Sequence, residues 1–98
     1  MTTLLVTVTP AEGEGEAAGR YLQGVGPLLA GAGGKLGKRL RVTETISGTA
    51  GTAMALVMEF DNAEAITGVF ASEAYKALIP DRDKAFSSVD ILIAETMD

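Results

Sequence analysis

The sequence predicts an α+β fold with the element order β-α-β-β-α-β, in which a four-stranded antiparallel sheet carries two helices on one face. Three observations predict it. Segments of period-two apolar alternation near both ends and in the middle read as strands. Between the first two strands lies an apolar stripe of helical spacing, closed by Gly33-Gly34. A capped helical segment follows the third strand. At 98 residues the chain is expected to form one domain over 1–98.

Thr2 to Thr9 is rich in Val, Leu and Thr and stops at Pro10, which makes it the first strand. Two helix starts then compete. Thr9 and Glu12 have capping-box spacing with Pro10 between them, whereas Gly13 and Gly15 favour an acidic loop with the helix beginning near Glu14. The loop is preferred, because each interior glycine costs about 1 kcal/mol of helix stability. The helical stripe runs through Tyr21, Leu22, Val25, Leu28, Leu29 and Ala32, and Pro27 is expected to kink or split it after Gly26.

Lys35 to Ile46 alternates with Leu40, Val42 and Ile46 on one side and Arg39 and Arg41 on the other, predicting a second strand with one wet face. Ser47 to Gly51 is the expected hairpin loop, and Thr52 to Phe60 the third strand. Asp61 or Asn62 caps the second helix, with Glu64 placed for a capping box and Ala65, Ile66, Val69 and Phe70 on its buried side. A turn is expected through Tyr75 and Leu78 and on through Pro80-Asp81-Arg82-Asp83, with the last strand from about Val89 to Glu95. Two helices cover one face of such a sheet. The third and fourth strands are apolar on both faces, so the other face is expected to bury itself against a second copy, sheet on sheet.

Composition narrows the function. The chain has no cysteine and no histidine, which removes disulfides, thiolate metal sites and the usual proton shuttle and metal ligand. No metal and no cofactor are expected. Eight Lys and Arg against 13 Asp and Glu give a net charge of -5, which argues against nucleic acid and anionic membranes as partners. The longest apolar run, Met54 to Met58, is far short of a bilayer span. The N-terminus reads as a strand and not as a signal peptide, and a cysteine-free chain suits the cytoplasm, the expected location.

The order of elements resembles the dimeric α/β-barrel superfamily, in which two ferredoxin-like subunits pack their sheets together. The segments Pro27-Leu28-Leu29, Gly33-Gly34, Glu59-Phe60, Glu64-Ala65 and Phe70-Ala71-Ser72-Glu73-Ala74-Tyr75, with Leu78 and Arg82, resemble more narrowly a bacterial domain-of-unknown-function family numbered 1330. Relatives in the superfamily include cofactor-free isomerases and monooxygenases, so the resemblance implies a ferredoxin-like homodimer with a small-molecule site, and no agreed activity.

The best polar constellation is Tyr75 and Arg82 with Ser72 just before them, able to bind a carboxylate or enolate oxygen. The structural alternative has Ser72 capping a helical turn, Tyr75 packing on the core and Arg82 pairing with Asp81 or Asp83. Tyr21 lies on the apolar stripe, its hydroxyl bordering any cavity between helix and sheet. Glu44 and Glu59 interrupt apolar rows on strands two and three and are candidate general bases; the alternative is solvated strand ends or pairing with Arg39 or Arg41. The spacing of Glu12, Glu14 and Glu16 fits no calcium loop.

Two function classes stand. One is a site between sheet and helices for a small acidic or aromatic molecule, with Tyr75, Arg82, Tyr21 and Ser72 as contacts and Glu59 and Glu44 as further catalytic candidates. The other is a non-catalytic dimeric interaction module.

Overall fold

The computed structural model describes residues 1–48 and 52–97. It contains strand β1 (Thr2–Pro10), helix α1 (Gly15–Gly31), strands β2 (Lys35–Arg41) and β3 (Met54–Phe60), helices α2 (Ala63–Ala71), α3 (Glu73–Lys76) and α4 (Ile79–Ala85), and strand β4 (Phe86–Ala94). The sheet is antiparallel with the order β2-β3-β1-β4, the expected α+β arrangement. Of the expected hairpin loop 47–51, residues 49–51 lie outside the described residues.

Helix α1 begins one residue after Glu14, as the glycine argument requires, and buries Ala17, Tyr21, Val25 and Leu29 at a spacing of four. Leu22, expected on the stripe, faces solvent instead. The helix ends in a Schellman arrangement: Gly33 N–H donates to Ala30 O and Gly34 N–H to Leu29 O, with Gly33 at φ 90°. Pro27 neither splits nor ends the helix, which runs unbroken to Gly31. Its missing N–H would have paired with the carbonyl of Gln23, and both residues sit on the exposed side, where water can substitute.

The register fixes two sheet faces, because residues directly opposite on antiparallel strands share a face. Leu4, Met58 and Ile93 are aligned on the helix side, as are Val6, Leu56 and Ile91. Leu5, Val57 and Leu92 are aligned on the open side. Strand β2 keeps the expected alternation of Leu40 against Arg39 and Arg41 but carries an irregularity ahead of it. Its register shifts between Leu36 and Lys38, a bulge at Gly37. Leu36 therefore aligns with Met58 on the helix side, whereas Leu40 aligns with Ala55 on the open side and Arg39 and Arg41 turn to the helix side. All seven β2 residues are exposed, so neither side of this edge strand is dry. The strand also stops at Arg41 and not at Ile46, since the last bond to β3 is Val42 N–H to Ala53 O.

Asn62, not Asp61, caps α2, its Oδ1 accepting from Ala65 N at 2.8 Å; this puts Glu64 one position short of the expected capping box. The largest correction lies after α2. The stretch read as a turn is two further helices, α3 and α4, so more than two helices lie over the sheet. Ser72 caps α3. Pro80 sits in the first turn of α4, where a missing N–H costs nothing, with Asp81 beside it and Arg82 and Lys84 in the last turn, where their charges suit the helix dipole. Strand β4 starts at Phe86, three residues before Val89. The core lies between sheet and helices around Leu4, Phe60, Ile66 and Tyr75.

Candidate functional site

Three helices bring Tyr21, Tyr75 and Arg82 together. Tyr21 belongs to the buried row of α1, so its ring is driven into the core by the same periodicity that forms the helix. Tyr75 is held by the cap of α3: Ser72 Oγ accepts from Tyr75 N at 3.1 Å and donates to Val69 O at 2.6 Å. Arg82 projects from α4. The hydroxyls of Tyr21 and Tyr75 are 2.9 Å apart, and Arg82 Nη1 donates to Tyr75 Oη at 3.2 Å. Tyr75 also stands edge-on to Phe70 and Tyr21, and Tyr21 edge-on to Phe86, with centroids 4.7, 6.1 and 5.8 Å apart.

Both phenols are buried, and the guanidinium is the member that reaches water. Tyr75 is 2% and Tyr21 8% exposed, whereas the Arg82 side chain is 25% exposed. Burial, then the hydrogen bond to Tyr75, pushes the Tyr21 phenol well above the ordinary range, so it stays protonated. Burial works against the Arg82 charge, but hydrogen bonds from its guanidinium to Tyr75 and Asp83 outweigh this and hold it above its ordinary value. Asp83 Oδ1 lies 3.1 Å from both Nε and Nη2 of Arg82.

Arg82 opens onto a cleft of about 470 Å³ running along β4, lined by Asp83, Phe86, Ser87, Ser88 and Ile91 among others. That volume is within the range of small-molecule sites. A larger depression of about 740 Å³ lies over the start of α1, but it is bounded by Glu14, Glu16, Arg20 and Lys84 and contains no aromatic wall. There Arg20 pairs with Asp81 at 3.0 Å and Lys84 with Glu14 at 3.8 Å, which ties α4 to α1. The β4 cleft is the better candidate, because it joins apolar walls to the Arg82–Asp83 pair.

The other residues singled out in the sequence lie elsewhere. Ser72 is next to Tyr75, with its hydroxyl committed to the α3 cap. Glu59 is on the open face, accepts from Thr3 Oγ1 at 2.8 Å and is aligned with Lys35. Glu44 is exposed in the segment after β2, so the two glutamates do not meet. Phe86 and Asp83 join the site without having been picked out for it. Phe86 opens β4 ahead of the apolar alternation that marks the strand from Val89, and the sequence places Asp83 only as a charge partner of Arg82. Among the described residues, no group of three or more acidic side chains converges as a metal site. No described helix is long and apolar enough to cross a membrane.

The comparisons agree with this architecture. A family model described as a domain of unknown function (DUF1330) matches residues 5–97. No curated protein matches the chain. Among solved structures, a protein of unknown function from Rhodopseudomonas palustris is 16% identical, with a TM-score of 0.82 over 99% of this chain and 82% of its own. A dimeric protein of unknown function and ferredoxin-like fold from Bacteroides fragilis is 13% identical, with a TM-score of 0.63 over 97% of this chain and 95% of its own. An ethyl tert-butyl ether d (EthD) family protein from Bacillus halodurans is 20% identical, with a TM-score of 0.66 over 99% of both chains. At these identities the likeness is one of fold, and the fold is ferredoxin-like.

Proposed function

The chain belongs to the DUF1330 family, and on that premise we propose that residues 1–98 act as one domain of a cytoplasmic homodimer, each subunit binding a small acidic or aromatic molecule in the β4 cleft. The observation that carries the reading is Arg82 itself. It is a cation backed by two buried phenols, and it faces a cleft with the apolar side chains of Phe86 and Ile91. An anionic group on the ligand meets the guanidinium, and its hydrocarbon body lies against the apolar wall. No cofactor enters this reading. The chemistry such a site suits is proton transfer of the isomerase or cofactor-free monooxygenase kind, with Tyr75 as the exchanging group. Tyr75 is almost wholly buried, so the ligand reaches its oxygen only when Arg82 swings aside.

The dimer is proposed through the open sheet face. Leu5, Val57 and Leu92 form an apolar row there, with Leu40, Ala55, Val42 and Ala53 beside it. The Bacteroides fragilis neighbour is described as dimeric, which supports a dimer here.

A second reading, the non-catalytic dimeric module, is favoured by one observation: the two phenols, Arg82 and Asp83 already satisfy one another without a ligand. Thermal unfolding in the presence of a panel of aromatic carboxylates separates the two. The ligand reading expects at least one to raise the melting temperature of the native chain and to leave Arg82→Ala unmoved. Equal shifts in both chains, or none in either across the panel, favour the module.

A further inference from the structure

Asp83 occupies the side of Arg82 that a ligand carboxylate would use. The Nε and Nη2 edge of a guanidinium is suited to two parallel hydrogen bonds with both oxygens of a carboxylate. Here that edge is met by one oxygen, Asp83 Oδ1, lying 3.1 Å from both nitrogens. Adjacency in the chain explains the poor fit, since successive residues on a helix point in different directions and Asp83 reaches its neighbour only from the side. Asp83 is also 65% exposed against 25% for Arg82, so water competes for the carboxylate and the pair is weak. The remaining anchor of Arg82, Nη1 on Tyr75, is on a different nitrogen, so the loss of Asp83 does not by itself break it.

We infer that Asp83 is an internal stand-in for the ligand: the site takes a monocarboxylate, which displaces Asp83 from the Nε and Nη2 edge of Arg82, and Asp83 thereby sets the affinity and charge selectivity of the cleft. This rests on the reading of the β4 cleft as a ligand site. The displaced Asp83 stays close, so a dianion meets a net repulsion that a single carboxylate offsets with its two-pronged contact. A neutral amide gains little, because it offers one acceptor oxygen and cannot match both donors. The specificity thus runs to a single carboxylate on an aromatic or apolar body.

Benzoate and benzamide are the probes, titrated into the native chain, Asp83→Asn, Asp81→Asn and Arg82→Ala, with binding followed by amide NMR shifts of Ser87 to Ile91. Asp83→Asn should bind benzoate about three- to fivefold more tightly than the native chain, the scale set by release of an exposed ion pair. Benzamide affinity should not change. Asp81→Asn alters net charge equally but removes a partner of Arg20, so it should leave benzoate affinity within about a factor of two. Unchanged or weaker benzoate binding in Asp83→Asn overturns the inference while leaving the ligand site standing, as does an equal gain in Asp81→Asn. Benzoate binding that persists in Arg82→Ala, or that is absent from every chain, overturns the site and the inference together.

Discussion

Tyr21 and Tyr75 are 54 positions apart in the chain, yet their hydroxyl oxygens lie 2.9 Å apart in the core, and the Tyr75 oxygen also accepts from Arg82. Tyr75 is the shared member. Removing either hydroxyl leaves different groups behind, which makes the arrangement testable by stability alone.

Tyr75→Phe strands the Tyr21 hydroxyl in the core and frees an Arg82 N–H, and should cost about 1–3 kcal/mol. Tyr21→Phe leaves Tyr75 with Arg82 and should cost about 1 kcal/mol. Because the two share one hydrogen bond, the double variant should cost less than the sum. Urea denaturation of the four chains measures the coupling; additivity would mean that the hydroxyls do not interact.

Alkaline pH should unfold the protein through Tyr21. Its phenol is raised above the ordinary value of 10.0 by burial and by the hydrogen bond to Tyr75. The folded form therefore keeps a proton that the unfolded form loses. Stability is full below pH 10 and falls above it, by up to about 1.4 kcal/mol per pH unit for this one group. Stability measured against pH should show that decline, and Tyr21→Phe should flatten it.

Two glycines should respond in opposite directions to alanine. A methyl at Gly34 would lie 2.6 Å from Phe60 Cζ and 2.9 Å from the Leu29 carbonyl oxygen, one a fully buried ring and the other backbone. Gly34→Ala should cost about 1–3 kcal/mol. Gly19, inside α1, has nothing within 4 Å of its added methyl, so Gly19→Ala should gain up to about 1 kcal/mol of helix stability. Thermal unfolding of both variants checks the pair.

What the sequence made legible follows from the range of each interaction. The Met58 and Phe60 alternation, the Gly33-Gly34 stop and the buried row of α1 are local patterns, and each is where the residues implied, save Leu22, which faces solvent. The helix α4 is not legible because its seven residues contain Pro80 followed by Asp81, a pairing that marks turns as well as first helical turns. The alternation of Leu40 with Arg39 and Arg41 was legible and is kept in β2, but which face each set takes is decided past the bulge at Gly37, and a bulge has no period to read. Tyr75 and Arg82 were legible as a pair because they are 7 positions apart. Their junction with Tyr21 depends on how α1 meets α3, which no local pattern encodes.

The proposed dimer predicts that a charge in the middle of the open face dissociates it. Val57 is aligned with Leu5 on one side and Lys38 on the other, at the centre of that face. Sedimentation should give a dimer for the native chain and a folded monomer for Val57→Glu. A native chain that sediments as a monomer would contradict the interface.

Native mass spectrometry of the purified protein under gentle conditions, repeated after denaturation and with Arg82→Ala, tests the central claim most directly. The account predicts a dimer with added small-molecule mass that disappears on denaturation and is absent from the Arg82→Ala dimer. A monomer free of added mass, or an adduct retained equally by Arg82→Ala, would contradict it.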